Sequence, residues 1–279
     1  MKKYLMLFAV LFFTQIAFAQ TENITVMTYN IRCGFCEDSS NVNNWGYRKY
    51  LVAYLIKSHK PDLIGLQEAE MFQVNELIEM LDEYDWYGVS REDGKVKGES
   101  TAILYKKKRF KPLTKKTLWL SETPNLVSKG WDAALKRTVT LIKFRDKKLN
   151  REFYYANTHF DHIGEKARTE SSSLLVDLLS KYSDKYPVIF SGDLNYTSTS
   201  EGYKILTSKL LDTKIISEKE SGGNITFNGF GNDIQPDNKI DFIFVNDKVK
   251  VLNHIVDTTL FNGLYPSDHY PVIAELKIN

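Results

Sequence analysis

Short apolar runs, each closed by turn-forming residues, recur along the chain and leave few architectures open. Ile24–Ile31, Leu63–Leu66, Trp86–Val89 and Thr101–Tyr105 read as strands, as do Thr138–Phe144 and Phe153–Asn157. Val188–Phe190, Ile240–Val245, Val249–Val256 and Pro271–Ile278 follow. Between them, helical spacing of apolar residues marks Tyr47–Ser58, Gln73–Leu81, Gly164–Tyr182 and roughly Ser200–Ser208. The stretch RDKKLN, residues 145–150, reads as a hairpin loop, so the sheets cannot be all parallel. Many strands with a few helices predict a sandwich of two sheets with helices on the outer faces.

The first residues read as a targeting segment. Lys2 and Lys3 precede an apolar run from Tyr4 to about Phe13, and Ala17-Phe18-Ala19 is a small-x-small cleavage site. The run is shorter than the roughly 20 residues of a spanning helix, which argues against a transmembrane anchor. Cleavage near Ala19 predicts an exported protein, periplasmic or extracellular. No linker, low-complexity tract or short repeat divides residues 20–279, which predicts one domain. Loss of Lys2 and Lys3 takes the formal charge from +2 to about zero. Non-specific duplex binding usually needs a strong basic excess. Only local clusters such as Lys106-Lys107-Lys108-Arg109 occur here, and they read as a solvated face.

Cys33 and Cys36, in CGFC, are the only cysteines. A local staple suits an oxidising compartment, with free thiols as the alternative. A dithiol redox motif would open a helix in a thioredoxin-like unit, and no other ligands complete a zinc site.

The strand ends carry the chemistry. TYNIR ends one strand with Asn30 and Arg32, and DLIGLQE ends another with Glu68. YANTHFDH ends a third with His159 and Asp161, and IFSGDLN a fourth with Asp193 and Asn195. KIDFIF opens a fifth with Asp241, and YPSDHYPV the last with Asp268 and His269. Any one of these is a good turn or capping residue. Together they are six polar endings on apolar strands, and carboxylates so placed must be solvated or paired. Oxygen-rich clusters suit a hard cation, Mg2+ or Mn2+. A hard metal beside histidines and carboxylates is what phosphate-ester hydrolysis requires.

At these residues the sequence resembles the exonuclease–endonuclease–phosphatase superfamily, with TYNIR, LQE, NTHFDH, SGDLN, KIDFIF and SDHYPV in the superfamily's order. The additional W-x-x-R (Trp45, Arg48) and G-x-x-A-R (Gly164, Ala167, Arg168) are similar to an exported bacterial branch with no assigned substrate. The resemblance implies a four-layer αββα sandwich: two mixed, mostly antiparallel sheets face to face, with helices outside and the site at one end. By this likeness Glu68 is the principal metal ligand, helped by Asn30 and Asp268. Asp193 and Asn195 orient or activate water and hold the phosphate, and His269 with Asp241 forms an acid–base dyad. His159 stabilises the phosphate or protonates the leaving group, and the base is either His269 or Asp193. The implied partner is a phosphate ester, whether small molecule, lipid headgroup or nucleic acid. No obligatory protein partner is readable.

Arg32 and Arg168 are candidates for gripping a substrate phosphate, and Asp161 for supporting His159. His162 reads as a surface residue, and Trp45, Trp119 and Trp131 as packing. In SGDLN, Gly192 is expected to turn the chain sharply. Asp193 and Asn195 then project the same way from an extended stretch.

Overall fold

A computed structural model describes residues 23–278, apart from Asp233 and Asp237. The expected signal segment lies outside the described residues. The chain begins with β1 (Ile24–Asn30), α1 (Trp45–His59), β2 (Leu63–Gln67), α2 (Met71–Met80), β3 (Tyr84–Tyr87) and β4 (Ile103–Lys106). It continues with β5 (Phe110–Trp119), β6 (Thr138–Asp146), β7 (Arg151–His159), α3 (Glu165–Ser183), β8 (Val188–Asp193) and α4 (Glu201–Thr207). Then come β9 (Leu211–Asp212), α5 (Thr213–Ile216), β10 (Glu220–Ser221), β11 (Asp241–Val245), β12 (Val249–Val256) and β13 (Val272–Ile278).

Two mixed sheets result, ordered β10-β12-β13-β1-β2-β4-β3 and β5-β6-β7-β8-β11-β9. Side-chain alternation sorts each central strand into two apolar layers. Ile24 and Val26 of β1 pack between the sheets with Ile189, Ile243 and Val245, whereas Met27 and Tyr29 meet Val52, Ile56 and Leu77 of the helices. Val188, Phe190, Phe242 and Phe244 pack on the far side against Leu175 and Leu179 of α3 and Leu206 of α4. Burial on both faces explains why these strands read as continuous apolar runs. The fold is the expected four-layer sandwich.

One long strand escaped the sequence reading. β5 contains Pro112 and successive lysines, a poor strand signal. It lies at the edge of its sheet beside β6 and is bulged between Pro112 and Thr114, the kind of position where proline is tolerated in a strand. The basic cluster also departs from a simple solvated face. Arg109 holds Asp62 at 2.9 Å and Asp146 at 2.8 Å, joining one sheet to the other at the end where β2 begins. Among the described residues no helix is long and apolar enough to cross a membrane.

A buried histidine gives stability a pH dependence. Thr213 Oγ1 donates to Ile243 O, so it accepts from His254 Nδ1 at 2.9 Å, and Nε2 is buried without a hydrogen-bond partner among the described residues. Burial, aided by Lys239, lowers the His254 pKa from 6.5 to about 3. The unfolded chain therefore binds more protons between these values. The contribution is complete above pH 6.5 and falls with pH at up to about 1.4 kcal/mol per unit. Denaturant midpoints measured from pH 4 to 7 are expected to show a shallower slope for His254→Gln than for the wild type. Equal slopes would contradict this.

Candidate active site

Topology alone brings the polar strand ends together. β1 and β2 are parallel, as are β7 and β8, while β11 runs antiparallel to β8 and β13 to β1. The closing ends of four strands and the opening ends of two therefore share one rim. Register completes the placement, because Asp193 is paired across the ladders with both His159 and Asp241. Beneath this rim the inter-sheet layer turns polar. Gln67 Nε2 donates to Asn157 Oδ1 at 2.6 Å, and Asn157 Nδ2 donates to Leu66 O at 2.8 Å.

Asp193 is the hub. Its Oδ2 accepts from Asn30 Nδ2 at 2.9 Å and lies 3.4 Å from His159 Nε2 and 3.8 Å from His269 Nε2. Its Oδ1 accepts from the Asn195 N–H at 3.0 Å. Asn30 Nδ2 also donates to Glu68 Oε1 at 3.1 Å, and Glu68 Oε2 accepts from Cys33 N at 3.0 Å. Arg32 stands 3.5 Å from Asp268 and 4.0 Å from Glu68. Arg32, Glu68 and Asn195 all adopt left-handed backbone, with φ of 59°, 58° and 50°. Such residues cost on the order of 1–3 kcal/mol each and cluster at functional sites. At Glu68 this conformation breaks the strand alternation and turns the carboxylate into a cavity of about 490 Å3.

Behind His269, Asp241 Oδ2 lies 2.9 Å from Nδ1. Burial by itself would lower the His269 pKa, but the Asp241 carboxylate, with Asp193 and Asp268, outweighs it and raises the value to about 10. Asp193 moves up to about 7, from burial first and then from the charge of Asp241.

The SGDLN turn is built differently from the sequence expectation. Gly192 lies inside β8, where an added Cβ would come within 2.4 Å of Thr158 O. It permits close approach of β7 and β8 and makes no turn. Asn195 makes the turn through its left-handed backbone, and its amide donates to Phe160 O at 3.0 Å.

Arg32, Glu68, His159, Asp193, Asn195, Asp268 and His269 line the cavity, with Asn30 and Asp241 supporting them from behind. Asp161 and Arg168 are not brought to its wall. Asp161 is buried and accepts from the backbone N–H groups of Ala134, Leu135, Ile163 and Gly164. These bonds outweigh burial and hold its carboxyl below the usual range. Arg168 donates to the Asp161 carbonyl at 3.0 Å. The G-x-x-A-R segment thus shapes the start of α3, where Asp132 caps Ala167 N at 2.7 Å. His162, read as surface, is exposed but also lines the cavity, held by Arg137 at 3.1 Å.

Residues 27–269 match the Endonuclease/Exonuclease/phosphatase family. The chain belongs to this family. It is 36% identical to a solved family protein from Bacteroides thetaiotaomicron, with a TM-score of 0.88 over 92% of this chain and 98% of that one. It is 37% identical to a mannosyl-6-phosphatase of Bacteroides thetaiotaomicron VPI-5482, with a TM-score of 0.86 over 91% of this chain and 99% of that one. A CCR4-Not complex 3'-5'-exoribonuclease subunit Ccr4 of Aspergillus niger is 23% identical over 92% of this chain, which spans 52% of that protein. Family members are hydrolases acting on phosphate esters and typically use divalent metals.

The family site fits a cation on its own chemistry. Glu68, Asp193, Asp241 and Asp268 bring four carboxylates to one site, where among the described residues their ion-pair contacts are Arg32, His159 and His269, and Asp241 Oδ1 is buried without a hydrogen bond. Such an oxygen-rich acidic surplus suits a hard ion. Among the described residues, ligating atoms of Asp193, Asp241 and His269 lie within 4.8 Å of one another. Cys33, Cys36 and Glu68 also cluster, but the cysteines form a disulfide and offer no thiolate.

The sequence reading missed Arg91 and Glu99, which bond at 2.6 Å on the cavity wall, together with Phe227 and Asn238. Arg91 and Glu99 flank a turn-rich stretch, REDGKVKGES, whose composition signals a loop and nothing more.

Proposed function

We propose that the chain is an exported, divalent-metal-dependent phosphoesterase acting on a small phosphate monoester, with residues 20–279 as one catalytic domain. The observation that carries this reading is the convergence on Asp193 of Asn30, His159 and the His269–Asp241 pair, beside Glu68 and Asp268. Glu68 and Asp268, with Asn30 alongside, would hold Mg2+ or Mn2+. When bound, such an ion offsets phosphate charge and polarises the ester.

Asn195, His159 and His269 present N–H groups to the phosphoryl oxygens. Against burial, which lowers it, the Asp241 carboxylate at Nδ1 raises the His269 pKa, and this favours a donor's part over a base's. Asp193, raised to about 7, suits the general base. It takes a proton from water as the oxygen attacks phosphorus in line, the opposite P–O bond breaks, and the departing alkoxide takes a proton from solvent water to leave as the alcohol. Glu99, Asn238 and Phe227 give the wall a polar and aromatic character suited to a hydroxylated leaving group such as a sugar. The likeness to a mannosyl-6-phosphatase supports this choice.

The test is a panel of hexose 6-phosphates, 4-nitrophenyl phosphate, bis-4-nitrophenyl phosphate, DNA, RNA and sphingomyelin, each with Mg2+, Mn2+ or chelator. Phosphate release from the monoesters is expected, and chelator should abolish it. Hydrolysis confined to diesters, nucleic acid or lipid would redirect the substrate, and activity indifferent to chelator would remove the metal.

A further inference from the structure

Two of the cavity histidines, His269 and His159, have opposite partners. His269 Nδ1 faces a carboxylate, whereas His159 Nδ1 faces Arg137 Nη1 at 3.0 Å. Arg137 is buried, only 5% exposed, and among the described residues its carboxylate contact is a long one, Asp161 Oδ2 at 3.5 Å from its Nε. Its Nη2 addresses His162 Nδ1 at 3.1 Å. A guanidinium has only N–H donors, so a ring nitrogen opposite it must be a bare acceptor. The single proton of His159 therefore resides on Nε2, the nitrogen turned toward Asp193 and Asn195.

A competing contact exists. Asn195 Nδ2 lies 3.1 Å from His159 Nε2, and its orientation is set by its bond to Phe160 O. Charge-assisted hydrogen bonds are roughly twice as strong as neutral ones, so Arg137 decides the tautomer. Two N–H donors then stand side by side, with Asp193 Oδ2 at 3.4 Å as an acceptor within reach. An oxyanion satisfies such a pair. Burial disfavours a second proton on the ring, and Arg137, Arg91, His269 and His162 act the same way.

We infer that Arg137 is a positioning residue that locks His159 as the neutral Nε2–H tautomer. His159 thereby becomes a hydrogen-bond donor to a non-bridging phosphate oxygen and not the proton source for the leaving group. Giving up the Nε2 proton would leave an imidazolate, so the ring keeps it throughout. The catalytic half of this inference rests on the phosphoesterase reading; the tautomer half does not.

The first test is nitrogen NMR of 15N-histidine-labelled full chain at pH 7, without metal or substrate. His159 is assigned by loss of its signals in His159→Gln, with His159→Asn as a second assignment. A protonated Nε2 and a bare Nδ1 are expected, with the Nδ1–H form or imidazolium emerging in Arg137→Met. An Nδ1–H or imidazolium ring in the wild type overturns the inference, whether or not the Arg137 variant folds. The second test compares a nitrophenyl with an alkyl phosphate in Mg2+. His159→Gln is expected to lower kcat by a similar factor, about 10²-fold, on both, as for loss of an oxyanion donor. A loss on the alkyl ester that is much larger would make His159 the acid. Wild-type inactivity on every ester would defeat the phosphoesterase reading and the catalytic half with it, and leave the tautomer to the NMR result.

Discussion

Asp193→Ala is expected to lower turnover on a phosphate ester by at least about 10²-fold, and His269→Ala to do the same, in line with general acid–base magnitudes. Asp193 is the group on which Asn30, His159, Asn195 and His269 converge, so its removal deletes the base and unseats the donors together. Stability should move the other way or not at all. Asp193 is buried beside Asp241, and burial with like charge raises its pKa, so relief of that repulsion offsets the lost hydrogen bonds. Steady-state kinetics at saturating Mg2+, paired with denaturant melts, measure both quantities. Near-normal turnover in either variant would remove the assignment. A folding loss of several kcal/mol in Asp193→Ala would show that its role is structural.

Arg48→Met should destabilise the fold by about 1–3 kcal/mol for each buried carbonyl it leaves without a donor. Arg48 is 1% exposed, and its hydrogen bonds go to backbone carbonyls. Its Nη1 donates to Ile31 O at 2.8 Å and Pro266 O at 2.9 Å, its Nε to Asn43 O, and Nη2 reaches Arg32 O at 3.5 Å. The rings of Trp45 and Phe230 flank the guanidinium at 5.6 and 5.5 Å. One side chain thus ties the turn after Asn30 to the turn before Asp268. Arg48→Lys should recover less than half of the loss, because an ammonium cannot span carbonyls on several segments as a planar fork does. Chemical denaturation of the three proteins decides it. A shift below about 1 kcal/mol in Arg48→Met would mean that the carbonyls find water instead.

W-x-x-R shows how far a motif alone carries. Its residues were visible, but nothing in them says whether an arginine binds substrate or backbone. The same holds for Arg168, which holds a carbonyl, and for Arg137, which addresses two histidines. A guanidinium takes its role from the acceptors around it, and these come from distant segments. Arg91 and Glu99 carried even less signal, because they belong to a stretch with no periodicity.

By itself, the sequence determined the two-sheet sandwich, the polar rim and the family. Period-two and period-3.6 apolar patterns are local, and the strand-end motifs occur in a fixed order. Only the tertiary structure decided that Gly192 serves strand approach, that Asn195 makes the turn, that Cys33 and Cys36 are joined, and that His269 and His159 have opposite partners. Protonation and aim depend on which charges and carbonyls lie within a few ångströms. Register and packing set those distances between residues far apart in the chain.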